Sequence, residues 1–490
     1  MKRMDWKFLW TAAVRKGIAF LVLLPAAATL SAQDTTASVL TLQEFLSGVA
    51  AYSPIARNAG LQQEQAQGAL QMARGAFDPK LYADWQQKSF DGKSYYTLGS
   101  AGVKVQSPFA LSFKSEFNTA RGAFLNPEDK LPAAGQALLG VNLPLLNGLF
   151  IDPYRAELQQ ARLGLPVARA TRQSQRNDLL FEAGLAFIDW SVAWAQVSIY
   201  QQAADIARFR LGGVVESFLQ GDKPAVDTLE TYILLQNRLF DLNEARLATN
   251  VAAQALDAFF WSPTRAAPPT TPLSGGRRPA VFADTSAPVL PLLDSFLTEL
   301  PARHPDLRLL DLELQQLAID RRLAAEQLKP RLDLSYNLLG NGTDFTSGNG
   351  AGNLLQDVLL QNYKWGLNFS FPLFLRKERG KLALTTLKQE TTTNKLQQKQ
   401  ADLEVKVRNY FSELQNSASQ IALYRSISDN YQRLLDAERV KFDLGESSVF
   451  LLNTREQKLL EAQVKYAKLQ GLYQKHLLAL SWAAGKLGGE

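Results

Sequence analysis

The sequence predicts a mostly α-helical chain with a small β part, built as a duplicated unit of helix, strand, strand and long helical hairpin. Three observations predict it. Four landmarks recur in the same order in both halves, and period-two alternation occupies matched zones between them. Heptad-spaced apolar rows then follow in each half for about sixty to seventy residues.

The first landmark is Ser53-Pro54-Ile55-Ala56-Arg57 against His304-Pro305-Asp306-Leu307-Arg308. The second is Phe77-Asp78-Pro79-Lys80-Leu81 against Leu328-Lys329-Pro330-Arg331-Leu332, and both pairs are offset by 251. Asn142-Leu143-Pro144-Leu145-Leu146 then parallels Ser370-Phe371-Pro372-Leu373-Phe374 at an offset of 228, and Phe218-Leu219-Gln220-Gly221 parallels Phe442-Asp443-Leu444-Gly445 at 224. Residues 262–291 hold seven of the 21 prolines and a Gly-Gly pair, the composition of a linker. The units therefore fall at 33–261 and 292–486.

Residues 1–32 come before the first unit. Arg15 and Lys16 precede an apolar run at 17–24, then Pro25 and small residues up to Ala32. This is the order of a secretory signal peptide cut after Ala32, and the run is too short to span a membrane. Lys2, Arg3, Lys7, Arg15 and Lys16 against Asp5 give this segment +4, leaving about +2 of the chain's +6 for the rest. No later Lys/Arg block is interleaved with aromatics, so nucleic acid is not an expected partner.

Each unit opens with an amphipathic helix, at 40–76 and 292–328, ended by Pro79 or Pro330. Strand zones follow at about 81–144 and 331–372. In the first, Leu81, Ala83 and Trp85 alternate with Tyr82, Asp84 and Gln86, and Asp91-Gly92 is a turn signal. Val103 and Val105 alternate with Lys104 and Gln106, and Phe109, Leu111, Phe113 and Phe117 with polar residues. In the second, Leu332, Leu334 and Tyr336 lead into a Gly/Asn-rich loop at 340–352, and Trp365, Leu367, Phe369 and Phe371 return. Pro79 to Pro144 spans 65 residues and Pro330 to Pro372 spans 42. The excess includes 109–117 and 122–135, and fits an added hairpin, a longer outer loop or an inward flap.

Residues 148–220 and 376–444 read as long helices of about 90–105 Å at 1.5 Å per residue. The second carries the rows Leu403, Tyr410, Ser417, Tyr424, Tyr431 and Val407, Leu414, Ile421, Ser428, Leu435, Phe442. Glycine turns at Gly221 and Gly445 send the chain back, and Leu452, Leu459, Tyr466, Tyr473 and Leu480 form the returning seam. Residues 179–200 are strongly apolar, but Glu182 and Asp189 lie inside one heptad apart, so this segment reads as a helix packed in a bundle.

Composition removes most chemistry. With no cysteine and two histidines, thiolate metal sites, Fe–S clusters, disulfides and a lipid anchor on cysteine are excluded. His304 and His476 have no third group at triad or metal spacing, and neither a Walker-type loop nor GxSxG is present, so no enzyme activity and no cofactor are expected. A mean hydropathy of −0.14 argues against a polytopic helical membrane protein but permits a β-barrel, whose strands average out. Four to six short strands cannot close such a barrel alone, and an open sheet in lipid leaves edge groups unsatisfied. Strands that lie in a membrane must then be shared by several copies in a ring, with the hairpins continuing as a tube.

The leader, the duplicated plan, the Pro-Leu-Leu and Pro-Leu-Phe strand exits and the tip Gly445-Glu446-Ser447-Ser448-Val449 resemble the TolC-like outer membrane efflux proteins. The resemblance covers essentially the whole mature chain. It implies a homotrimer with a shared 12-stranded barrel in outer membrane lipid and a trimeric α-barrel crossing the periplasm. It also implies an exit duct for efflux or secretion, docked by its tips to a periplasmic adaptor and through it to an inner-membrane transporter. Gly221, Gly445, Phe218, Phe442 and Val449 are then the tip-turn and docking residues. In that family acidic residues of the second tip, held by a tyrosine and an arginine, close the periplasmic end. The matching positions here are Leu451 and Thr454 for the acids, Phe442 for the tyrosine and Ser447 for the arginine, and only Asp227 of the first tip is kept. Asp227 with Asp222, Glu446, Arg439 and Arg455 could form the remaining latch, or Asp227 could simply favour a helix N-terminus. Phe442 and Leu451 could instead gate by dewetting. A passive coiled-coil or adhesin-like surface protein is the alternative, but it leaves two matched strand zones unexplained.

Overall fold

The computed structural model describes residues 38–261, 277–280, 290–345 and 362–488. The expected leader, most of the linker and part of the loop at 340–352 lie outside the described residues. The first half runs β1 (Ser38–Leu40), α1 (Leu42–Tyr52), α2 (Pro54–Gly75), β2 (Lys80–Phe90), β3 (Lys93–Gln106), β4 (Ser112–Arg121), β5 (Gln136–Pro144), α3 (Pro153–Leu219) and α4 (Ala225–Asp257). The second runs β6 (Arg277–Pro279), α5 (Leu293–Arg303), α6 (Pro305–Glu326), β7 (Arg331–Leu339), β8 (Tyr363–Ser370), α7 (Arg376–Asp443) and α8 (Val449–Ala483).

Each expected opening helix is two helices. The residue before a proline is pushed out of the α region, so the chain breaks at Ser53-Pro54 and His304-Pro305. Each proline then occupies the first turn of the next helix, where its missing N–H costs nothing. Ser53 Oγ accepts from the Ile55 amide at 3.3 Å, and His304 Nδ1 accepts from the Asp306 amide at 3.2 Å. The halves match in length, with helices of 11 and 22 residues in each.

β2, β3, β4, β5, β7 and β8 form one antiparallel sheet in that order. Asp91 and Gly92, at φ 51° and 67°, make the β2–β3 turn, the conformation that an Asp-Gly pair favours. Residues 109–111 are not strand, contrary to the alternation read there. Ala110 at φ 69° bends the chain, and the Ser107 amide donates to the Leu111 carbonyl at 2.8 Å. The excess of the first zone is an added hairpin: β2 to β5 come from the first half, and only β7 and β8 from the second. The 12-stranded barrel implied by the resemblance assigns each chain fewer strands than this sheet has. Three chains would need four strands each, and this sheet has six.

α3 and α7 have 67 and 68 residues, about 100 Å each. α3 runs unbroken through Pro166. The returning helices α4 and α8 have 33 and 35 residues and cover about half that length. Beyond their ends, α1 and α2 lie along α3, and α5 and α6 along α7. The seam is apolar where the heptads place it: Leu403, Val407, Leu414, Ile421 and Leu435 are buried, as are Leu452, Leu459, Tyr473 and Leu480 opposite. In the apolar segment of α3, Trp190 is wholly buried among Phe187, Leu179 and Leu256, while exposed Asp189 pairs with Lys475 at 2.5 Å. Among the described residues no helix is long and apolar enough to cross a membrane.

The two hairpins meet along α3 and α8. Gly184 of α3 faces Leu478, and Gly471 of α8 faces Val192, each so closely that a Cβ would overlap the opposing side chain. Above this interlock, buried Asn177 donates to the Trp482 carbonyl at 3.0 Å and accepts from the Leu487 amide at 3.2 Å. The Trp482 indole stacks on Phe181 at 4.6 Å and donates to Asp178 at 2.7 Å. β1 pairs in parallel with β6, tying the N-terminal segment to the linker.

Gly471→Leu should cost about 1–3 kcal/mol through overpacking at this interlock. Thermal unfolding of the purified protein in detergent measures it, and Val192→Ala in the same chain should recover much of the loss.

Candidate functional site

Two regions of the molecule are built for more than packing: the sheet and the paired helical tips. In the sheet, period-two alternation combined with the pairing register sorts side chains onto two unlike faces. Leu81 pairs with Val103, Val103 with Ser115, Val141 with Tyr336 and Tyr336 with Trp365, which lays one face with apolar and aromatic side chains. Leu81, Trp85, Trp365 and Phe369 on it are 83, 71, 61 and 63% exposed, so no described residue covers them. A shallow groove of about 420 Å³ on this face is lined by Val103, Val105, Phe113, Leu139, Val141 and Leu338.

The opposite face is polar. There Tyr82 lies across Gly102 and donates its hydroxyl to Glu116, two strands away. Gly102 is required, because a Cβ would meet the Ser115 carbonyl and the Tyr82 hydroxyl. Lys114 pairs with Glu116 at 2.5 Å, and Arg331 with Asp333 at 2.6 Å. A sheet with one hydrocarbon-like face and one hydrated face suits a wall between lipid and water.

At the far end of the hairpins the two tips share one geometry. Gly221 (φ 84°) and Gly445 (φ 77°) take the left-handed conformation after α3 and α7. The Asp222 amide bonds to the Ser217 carbonyl at 2.9 Å and the Glu446 amide to the Lys441 carbonyl at 2.9 Å, the Schellman pattern that closes a helix. Ser448 caps α8 by accepting from the Leu451 amide at 3.3 Å. Gly221, Gly445 and Phe218 are exposed, whereas Val449 is buried and offers a partner no surface in this chain. Phe442 is half-buried beside Leu435, Leu452 and Leu459, and the Lys223 ammonium from the first tip sits 4.2 Å from its ring.

The candidate latch residues separate within one chain. Arg439 reaches Glu456 at 3.5 Å and Asp436 at 3.6 Å, and Arg455 reaches Glu438 at 3.5 Å. Glu438 also accepts from Ser447 Oγ at 2.6 Å. Asp227 lies in the first turn of α4 and makes no ion pair within the chain among the described residues. Asp222 and Glu446 are exposed. Leu451 is half-buried, and Thr454 turns its hydroxyl to the Phe450 carbonyl at 2.9 Å.

Sequence reasoning missed the group that links the hairpins. Glu456 of α8 receives a bidentate pair from Arg210 of α3, one arm at 2.7 Å, besides Arg439 of α7. Arg210 also donates to Asn453 at 2.8 Å, and Asn453 reaches Glu230 of α4 at 3.4 Å. Burial lowers the pKa of the Arg238 guanidinium, and Asp241 and Glu456 oppose that shift by favouring its charge. Three helices thus meet at one carboxylate, and α4 joins them through Asn453 and Glu230. Sequence signals were absent, because Arg210 and Glu456 are 246 residues apart.

An exposed two-faced sheet continued by helices of about 100 Å defines the fold. Within it, residues 297–486 match the model of the outer membrane efflux protein family. In fold the chain is similar to the outer membrane channel CmeC of Campylobacter jejuni at 14% identity and a TM-score of 0.63, covering 91% of this chain and 85% of that one. VceC of Vibrio cholerae matches at 15% identity and a TM-score of 0.62, over 91% of this chain and 96% of that one. The open state of MtrE of Neisseria gonorrhoeae matches at 16% and 0.62, over 91% and 89%. No curated protein matches the chain in sequence. The resemblance to TolC-like outer membrane efflux proteins therefore holds, in sequence for the second half and in fold for the whole.

Glu456→Gln should loosen the junction of the hairpins, since it weakens two arginine pairs and leaves nearby Arg238 with less compensation. Hydrogen exchange in the first turns of α8 should accelerate by about tenfold or more, equivalent to about 1.4 kcal/mol or more, and Arg439→Gln should do less.

Proposed function

We propose that the chain is the outer membrane duct of an efflux or secretion assembly, a passive channel formed by three copies. The observation that carries this reading is the sheet. Its outer strands β2 and β8 have no neighbour on their outward edges among the described residues. In hydrocarbon those edge groups must be paired. β2 and β8 run in opposite senses, so β8 of one copy can pair antiparallel with β2 of the next, as every internal neighbour does. Three copies would give eighteen strands, a count at which barrels leave an aqueous channel. The apolar face would meet lipid and the polar face the lumen.

The paired helices would then line a periplasmic tube, with Gly221 and Gly445 at its far end. There Phe218 and Phe442 mark the surface for a periplasmic adaptor leading to an inner-membrane transporter. Opening would require the tips to part, and the residues that resist it are Arg210, Glu456 and Arg439, together with Phe442, Leu451 and Thr454 where they approach the axis. Asp227, which makes no ion pair among the described residues, would pair with a neighbouring copy's Arg439 or Arg455. A passive coiled-coil surface protein would leave the apolar sheet face without a phase to sit in.

The chain has no cysteine, so introduced thiols test the ring directly. Ala83→Cys on β2, combined with single cysteines scanned along β8, cannot bridge within one sheet. The two strands are five spacings, about 24 Å, apart, far beyond disulfide reach. The expected product in membranes is a covalent series ending at trimer, in one register. Crosslinks absent at every β8 position, or a series running past trimer, would refute the shared barrel. Deleting the gene should raise sensitivity to exported compounds without changing adhesion.

A further inference from the structure

The polar face of the sheet is not evenly charged. Following the register straight across all six strands, Lys80 pairs with Lys104, Lys104 with Lys114, Lys114 with Gly140, Gly140 with Asn337 and Asn337 with Lys364. One row thus carries four lysines and no acid. The row on one side of it is Gln106, Ser112, Asn142, Ser335 and Gly366, and that on the other includes Tyr82, Gly102, Glu116 and Leu138. Lys80, Lys104 and Lys114 stand on successive strands about 4.8 Å apart. Like charges directly opposite each other destabilise a sheet, so packing gives no reason for this arrangement.

The carboxylates of the same face neutralise one lysine of the row, Lys114, and leave the other three. Glu116 is taken by Lys114 and the Tyr82 hydroxyl, and Asp333 by Arg331. Asp84 sits opposite Ser100. Lys80, Lys104 and Lys364 are exposed and have no ion-pair partner among the described residues. Gly140 leaves the middle of the row low, with Asn337 lying over it. Because strands in a barrel tilt by about 35–45°, a row perpendicular to them climbs the wall obliquely. In this chain it runs from the first residue of β2, next to the helices, to the far end of β8.

We propose that this lysine row makes the lumen an anion-preferring passage, selecting cargo that carries carboxylate, phosphate or sulfate groups. The inference rests on the reading that the polar face lines the lumen of a membrane barrel. Successive ammonium groups along the wall would raise the local anion concentration and pass an anion from one to the next without a single tight site. The effect belongs to low ionic strength, because at 0.1 M salt the screening length is about 10 Å and at 1 M about 3 Å.

The test is ion selectivity of the full chain in planar bilayers under a KCl gradient, with current block by inorganic tripolyphosphate as a second readout. The expected result is chloride permeability at least about threefold above potassium at low salt, fading towards 1 M. Tripolyphosphate should reduce the current, and spermine at equal concentration should not. K80Q/K104Q/K364Q should abolish both effects, while K80R/K104R/K364R retains them, so a folding defect is distinguished from lost charge. A wild-type channel that prefers cations, or one whose preference survives the glutamine variant, overturns the lysine row and leaves the duct standing. Folded protein that inserts in lipid and passes no current, either as wild type or as Glu456→Gln with its tip pairs weakened, overturns the duct itself.

Discussion

Backbone N–H and C=O groups on the outward edges of β2 and β8 face no further strand among the described residues, and the face between them is apolar and exposed. Most of the architecture follows from that requirement. In the proposed duct, lipid covers the apolar face of this sheet and strands of neighbouring copies cover both edges. Closure by copies of the same chain needs an even number of antiparallel strands in each, and six satisfies it. Both ends of each half's strand set must also leave the sheet on one side, and they do: β2 and β7 are entered from the short helices, β5 and β8 leave into α3 and α7.

The two halves then diverge in a controlled way. Their helices correspond almost residue for residue, with long helices of 67 and 68 residues. Helices that stand side by side in a tube must agree in length and heptad phase, or the seam loses its knobs. Strands are under no such restriction at the loop end, and there the first half has gained a hairpin. The gain falls in units of two because an odd strand would leave the next element on the wrong side of the sheet. The interlock of Gly184 with Leu478 and Gly471 with Val192 holds the halves together between sheet and tips.

At the tips, the network on Glu456 lies where the hairpins can separate, and it is held by charge rather than by apolar burial alone. Glu456 and Arg210 keep 13 and 12% of their side chains accessible, so water can take over when the pairs break. An apolar seam such as Leu435, Leu452 and Leu459 resists separation more uniformly. Tips built from both combine an apolar seam with charge pairs that stay within reach of water.

Patterns that repeat along the chain were legible in the sequence. The period-seven rows fixed the seams of α7 and α8, the period-two alternation located the strand zones, and Gly221 and Gly445 marked the turns. Single prolines were legible too, although Pro54 and Pro305 end helices as well as begin them. What the sequence left open depends on register and on distance. The row Lys80, Lys104, Lys114, Lys364 exists only once six strands are aligned, since a slip of one residue would turn each lysine to the other face. The choice between hairpin, loop and flap for the excess of the first half was likewise decided by which strands found partners. Arg210 meets Glu456 across 246 residues because two helices about 100 Å and 50 Å long happen to cross there. Local periodicity sets which elements form, because it needs only neighbours in the chain. Which side chains meet is set by packing, because that needs the whole fold.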